Sequence, residues 1–197
     1  MKLKDKIIMG IDLAGREANP TGIAIWRNRK VETSLVYTNN EILEILWRIK
    51  PTIVAIDAPF CLPKRGILRK ADRDLIRRGY RVFPPGLSAM KALTLRASEL
   101  NKLITEMGLK TIEVHPTSTR KALNMPTKDW KAIQTIFKSL GLEGIPENQI
   151  LTPHEIDAIT AALTAHLYLL NLTEAIGDNE EGFVIIPRKA DWREIRI

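Results

Sequence analysis

Hydrophobic and polar positions along this chain change period from block to block, and each change marks an element. Residues 7–12, Ile7-Ile8-Met9-Gly10-Ile11-Asp12, are a short apolar run that stops at a carboxylate, the pattern of a buried strand. Residues 21–27 and 31–37 are rich in Val, Ile, Thr and aromatics, with Asn28-Arg29 between them as a tight turn. The first three strands therefore read as an antiparallel meander. Asn39 or Asn40 caps a helix whose Ile42, Ile45, Leu46 and Ile49 recur at helical spacing, and Pro51 stops it. Residues 52–59, Thr-Ile-Val-Ala-Ile-Asp-Ala-Pro, repeat the first pattern: an apolar run closing on Ile-Asp and a small residue. A strand, a crossover helix and a second buried strand pair in parallel, which sets Asp12 beside Asp57. Ligands bind at such carboxyl ends in open α/β sheets.

Residues 60–87 read as a basic helical insertion, with a short helix over 68–78 and Gly79 as its stop. A helix over 88–107 follows, then a short strand at 111–116 that carries Glu113 and His115. A helical segment capped from Thr127 buries Ile133, Ile136, Phe137 and Leu140 and ends at Gly141. Thr152-Pro153-His154-Glu155 then opens a long helix, with Thr152 as cap, proline at the first position and Glu155 as the capping-box partner. From residue 158 to 172 there is no Asp, Glu, Lys or Arg, so this helix is buried and Asp157 is a carboxylate entering it. Residues 182–187 read as a last strand at a sheet edge. No linker divides the chain, and residues 1–197 are expected to form one domain.

Composition narrows the class. Of 197 residues, 45% are hydrophobic and 27% charged, as in a globular protein. The formal charge of +7 favours a polyanionic partner. Within it, residues 64–81 hold eight Lys or Arg against Asp72 and Asp74. Cys61 is the only cysteine, which excludes an intrachain disulfide or a CxxC zinc site; it reads as a small buried hydrophobe. The charged start, Met1-Lys2-Leu3-Lys4-Asp5-Lys6, precedes an apolar run too brief for a signal peptide, and residues 158–172 fall short of a membrane span. A cytoplasmic location is expected.

Asp12, Asp57, Glu113 and Asp157 each stand at or near the edge of an apolar element. Carboxylates that converge raise one another's pKa and cannot all ionise without cations. Mg²⁺ or Mn²⁺, with oxygen ligands and open positions, suits such a cluster, and two ions can drive phosphodiester hydrolysis. Other readings stand beside this one. Asp12 and Asp57 could accept turn N–H bonds. Asp157 could pair with an arginine, for instance from 69–81. His154 is either a cap-region histidine or a group that orients water or moves a proton. His115 reads as structural. Arg65, Arg69 and Arg73 are the candidates for holding substrate phosphates.

Six ordered stretches carry a family resemblance: Gly10-Ile11-Asp12-Leu13-Ala14-Gly15, Thr21-Gly22-Ile23-Ala24, Ile56-Asp57-Ala58-Pro59-Phe60, Arg69-Lys70-Ala71-Asp72-Arg73 through Gly79, Glu113-Val114-His115-Pro116, and His154-Glu155-Ile156-Asp157-Ala158. Together they resemble a group of predicted nucleases with the ribonuclease H-like fold, related to the RuvC-type (Holliday-junction resolvase) branch. The resemblance implies an α/β fold in which a three-strand meander is followed by parallel strands. It also implies a two-metal site of Asp12, Asp57 and Asp157, with Asp12 bridging both ions. Cleavage of DNA or RNA would leave a 3′-hydroxyl and a 5′-phosphate. His154 and Asp157 match that branch's His-x-x-Asp spacing. The branch carries a glutamate where Asp57 stands, and Glu113 has no secure counterpart; ribonucleases H proper also carry a glutamate on the first helix, a role open to Glu41 or Glu44.

Three rivals remain. An actin-like or sugar-kinase ATPase shares the strand order but needs two such domains and a Gly-rich phosphate loop, and neither is present. A non-catalytic nucleic-acid-binding scaffold would keep the fold and the basic face. An enzyme acting on a small phosphorylated molecule could use the basic insertion as a clamp.

Overall fold

The computed structural model describes residues 6–197; the charged start at 1–5 lies outside the described residues. One seven-stranded mixed sheet runs through the molecule in the order β3-β2-β1-β4-β5-β7-β6. β1 (Ile7–Asp12), β2 (Thr21–Arg27) and β3 (Lys30–Val36) form the expected antiparallel meander. β4 (Ile53–Asp57) lies parallel to β1 with Asp12 opposite Asp57, and β5 (Thr111–Val114) lies parallel to β4. This is the ribonuclease H-like arrangement.

The two faces of the sheet are covered by different helices. α6 (Pro153–Leu169) packs in the larger core with Ile8, Ala24, Trp26, Ile53 and Ala55. On the opposite face, α1 (Asn39–Ile49) and α3 (Ser88–Glu106) pack in a second core with Met9, Ile11, Ile23, Val54 and Ile56. Strand side chains alternate faces, so Gly10 and Asp12 share the α6 face with Ile8, and Asp57 shares it with Ala55. Two glycines let the helix backbone touch the strands. A Cβ at Gly10 would lie 2.0 Å from the carbonyl oxygen of Ala158, and one at Gly22 would lie 2.1 Å from that of His154. Any larger residue would push the start of α6 away from the end of β1.

Several boundaries differ from the sequence reading. Thr38, not Asn39 or Asn40, caps α1, in a box with Glu41. Glu41 accepts from the Thr38 and Tyr37 amides, which commits it to the cap. Asp129, not Thr127, caps α5 (Trp130–Ser139). The short helix α4 (Pro116–Ala122) was not anticipated, because its seven residues carry no readable apolar period.

The last strands are the largest correction. β7 (Gly182–Pro187) is not an edge strand. It lies between β5 and β6 (Thr173–Asp178), a strand whose Glu174, Gly177 and Asp178 conceal it in the sequence. The 60–87 segment is tied to this extension. Its helix α2 (Lys70–Arg77) buries Ala71 and Leu75, with Tyr80 beyond its end, against Ile176, Val184 and Ile186. Among the described residues, no helix is long and apolar enough to cross a membrane.

Candidate metal centre

Asp12 ends β1, Asp57 ends β4, and Asp157 sits in the first turns of α6, on the face turned to those strand ends. Each offers a carboxylate oxygen, and these oxygens all lie within 4.8 Å of one another. Burial, then the charges of Asp12 and Asp157, raise the Asp57 carboxyl well above its ordinary value. Burial also raises Asp157, and the neighbouring Arg120 partly offsets this. An all-oxygen donor set under this mutual repulsion fits a hard divalent cation, whose charge would let all three groups ionise together.

Two further groups complete the cluster. His154 lies one turn before Asp157 on the same helix face. Its Nδ1 is 2.6 Å from Asp12 Oδ2, and that hydrogen bond raises the imidazole pKa. Its side chain is 44% exposed, so the imidazole is open to solvent. Arg120, on α4, pairs with Asp157 Oδ1 and also donates to Thr160 Oγ1 and to the carbonyl of Thr127. Sequence reasoning missed Arg120. It allowed Asp157 an arginine partner, but placed that partner in the basic insertion. The only signal for α4 is Pro116 at a helix start, and nothing there marks one basic residue as buried.

Glu113 does not join the three aspartates, and the parity of β5 gives the reason. Ile112 and Val114 pack on the α6 side, so Glu113 points to the other face, opposite Ile56 rather than Asp57. There it accepts from Arg69 Nη1 at 2.8 Å and Nη2 at 2.6 Å, and from the Phe60 amide at 2.8 Å. Arg69 is 1% exposed and also bonds both oxygens of Asp72. A guanidinium buried between two carboxylates offers nothing to a substrate phosphate, so Arg69 is a strut of the fold.

Arg73 donates to the carbonyl of Leu68 and stands 3.9 Å from Glu181. Arg65 is exposed, with no ion pair among the described residues. Most of the remaining cations in the 64–81 segment are paired too: Lys64 with Glu180, Lys70 and Arg77 with Asp74, and Arg78 with Glu174. Three acids of the β6–β7 hairpin, Glu174, Glu180 and Glu181, thus offset half of the local positive excess, and the sequence does not place them nearby.

Glu155 closes the capping box with Thr152 and accepts from Thr33 Oγ1 at 2.7 Å, so it belongs to the cap. His115 bonds Ser118 Oγ through Nδ1, and burial lowers its pKa to about 4, which keeps it neutral. Cys61 is half-buried and donates to the carbonyl of Glu181, with its thiol pKa raised by burial. Asp12 and Asp57 line a cleft of about 240 Å³ together with Leu13, Phe83, Met90, Leu93, Glu113 and His115.

Comparison with known proteins agrees with this fold. The RuvC of Thermus thermophilus, solved in complex with a Holliday junction substrate, superposes with a TM-score of 0.51 at 18% identity, over 84% of this chain and 96% of that one. A second structure of Thermus thermophilus RuvC gives 0.50 at 17% identity, over the same shares of the two chains. No curated protein matches the sequence. The family profile described as "Protein of unknown function (DUF429)" matches residues 10–181, and the chain belongs to that family.

Proposed function

We propose that the protein is a divalent-metal-dependent nuclease that hydrolyses phosphodiester bonds of DNA or RNA. The observation that carries this reading is the convergence of Asp12, Asp57 and Asp157 within 4.8 Å at the carboxyl ends of β1 and β4. The likeness to RuvC, one structure of which holds a Holliday junction substrate, supports it at the level of fold. The three aspartates would hold Mg²⁺ or Mn²⁺, which supplies Lewis acidity toward a phosphoryl oxygen and acidifies a bound water.

The chain's own residues then divide the work. Asp12 holds His154 through Nδ1, so Nε2 is the nitrogen that takes a proton from the attacking water. Arg120 fixes one oxygen of Asp157 and leaves the other for a cation. Three carboxylates and one guanidinium leave two negative charges, the charge of one divalent ion. A second ion, as the two-ion mechanism requires, would draw on the charge of the substrate's own phosphate. Leu13, Met90 and Leu93 give Asp12 and Asp57 an apolar flank in the cleft.

The test is to incubate purified protein with single-stranded, duplex and branched DNA and RNA, with Mg²⁺ or Mn²⁺ and with chelator. Metal-dependent cleavage is expected, and Asp12→Asn or Asp157→Asn should lower it by about 10³-fold, as losing an electrostatic centre does. Cleavage that persists in those variants would reject the assignment. Binding without cleavage in any metal would favour the scaffold reading.

A further inference from the structure

The cations of this protein fall into two populations. Those of the 64–81 segment mostly face carboxylates, as described above. A second group surrounds a separate hollow of about 430 Å³, whose walls include Arg81, Lys121 and Lys128 and no carboxylate. Arg81 and Lys128 are exposed and have no ion pair among the described residues, and Lys121 Nζ donates to the carbonyl of Gly79 at 2.6 Å and lies 6.0 Å from the centroid of the Tyr80 ring. Glu174, whose charge reaches Tyr80, is paired with Arg78, and two other nearby acids are occupied elsewhere. Asp129 caps α5 by accepting from the Ala132 amide, and Asp191 is held by Asn124 and Arg193.

An independent observation concerns a wall residue of the same hollow. Tyr80 is only 4% exposed, packs in the core beneath α2, and has a buried Oη with no hydrogen-bond partner among the described residues. A buried hydroxyl without a partner costs about 1–3 kcal/mol, so its persistence calls for an acceptor. Burial raises the phenol pKa, which keeps it a donor. The hydroxyls of Thr117 and Ser118 stand in the same walls.

We propose that this hollow is a phosphate-binding site, with Arg81, Lys121 and Lys128 supplying charge and Tyr80 Oη a hydrogen bond to a phosphate oxygen. Three cations with hydroxyl donors suit a tetrahedral dianion or diester better than a single carboxylate. Two short links join the site to the metal centre. Ser118 Oγ holds His115, which lines the same cleft as Asp12 and Asp57, and the carbonyl of Thr127 holds Arg120, which holds Asp157. On the nuclease reading, on which the choice of ligand rests, the phosphate belongs to the strand being cut, bound across His115 from the acids. The same chemistry would accept the phosphate of a free nucleotide.

Binding in the presence of chelator tests the site without involving the metal centre. Fluorescence anisotropy with a labelled single-stranded oligonucleotide is measured over a salt series. Amide chemical shifts are followed with adenosine 5′-monophosphate, with adenosine as control. The variant R81A/K121A/K128A should bind the oligonucleotide at least about tenfold more weakly. Its salt slope should fall by about 0.7 for each phosphate that the protein no longer neutralises. Y80F, which removes only the unpaired hydroxyl, should fold as well as the parent and bind more weakly. The control variant K64A/K70A/R77A, whose cations already face acids, should bind as the parent does. Shifts at residues 117–128 with the monophosphate but not with adenosine would extend the site to free nucleotides, whereas a response to the oligonucleotide alone would restrict it to nucleic acid. Unchanged binding of both probes in the triple variant and in Y80F would overturn the proposal. Loss of phosphate binding in a protein that never cleaves would uphold the site while rejecting the nuclease reading.

Discussion

Arg69 and Arg120 are each 1% exposed, yet they treat the acids around them in opposite ways. Arg69 takes every oxygen of two carboxylates: both of Asp72, at 3.1 and 3.0 Å, and both of Glu113, at 2.8 and 2.6 Å. Nothing is left on either acid for a metal. Arg120 takes one oxygen of Asp157, which remains 21% exposed and within reach of Asp12 and Asp57. The first arrangement closes a structural network; the second leaves a functional one short of positive charge. A buried carboxylate is therefore a ligand candidate only to the extent that its partners leave it unsatisfied.

Removing each arginine separates the two cases most sharply. Arg69→Met leaves two buried carboxylates without a counter-charge and should cost about 3–5 kcal/mol in urea denaturation, with no rescue by metal. Arg120→Met strands one partly exposed carboxylate and should cost less, about 1–3 kcal/mol. Mn²⁺ should recover much of that loss, since a ligand at a hundredfold its Kd adds about 2.7 kcal/mol. Equal losses, both insensitive to Mn²⁺, would erase the distinction.

Position can be varied without touching charge. Gly22→Ala puts a methyl 2.1 Å from the His154 carbonyl, and the start of α6 must then move. Overpacking of this kind costs about 1–3 kcal/mol, and it should weaken Mn²⁺ binding even though every ligand is retained. An alanine variant with parental Mn²⁺ affinity would show that the helix start does not set the site.

Asp57→Asn should act in the opposite direction on stability. The folded-state pKa of Asp57 lies above its unfolded value near 3.8, so its contribution is present below that value and is lost as pH rises through the folded one. At pH 7 without metal the amide removes the stability loss that accompanies this raised pKa, so it should raise stability by about 1 kcal/mol or more while abolishing stabilisation by Mn²⁺. A variant less stable than the parent in chelator would contradict the charge argument.

The smallest effect at neutral pH comes from the other end of α6. His166 stacks on Trp26 at 4.7 Å, and burial lowers its pKa to about 4. Because that value lies below the unfolded 6.5, its contribution is intact above pH 6.5 and is lost as pH falls toward 4. His166→Phe should match the parent at pH 7 and outlast it between pH 6.5 and 4 in thermal unfolding. His115, also lowered to about 4, shares that window, so the acid sensitivity should shrink without vanishing.

Much of the fold was legible because local patterns and the tertiary structure agree. The runs ending at Asp12 and Asp57, the capping box of Thr152 and Glu155, and the uncharged stretch after Asp157 each have one reading, and all of them fit one architecture. β6 was hidden because Glu174, Gly177 and Asp178 suit an edge strand whose exposed side needs no apolar period. Placing Gly182–Pro187 at the edge followed from missing it. Glu113 was misjudged by strand parity: its pairing with Ile56, not with Asp57, sends it to the opposite face. The basic segment misled because a count of Lys and Arg does not include the acids that arrive from 96 to 116 residues later, at Glu174, Glu180 and Glu181.

By itself, then, the sequence determined the meander, the parallel pairing of β1 with β4, and the three aspartates, since periodicity and capping act over a few residues and are written where they act. Which acids stay free was decided only by the tertiary structure. The Arg69–Glu113 and Arg120–Asp157 pairs join residues 44 and 37 apart, and no local pattern records them. Electrostatic state depends on distance in space, and the chain sets those distances only once Gly10 and Gly22 have let α6 settle on the sheet.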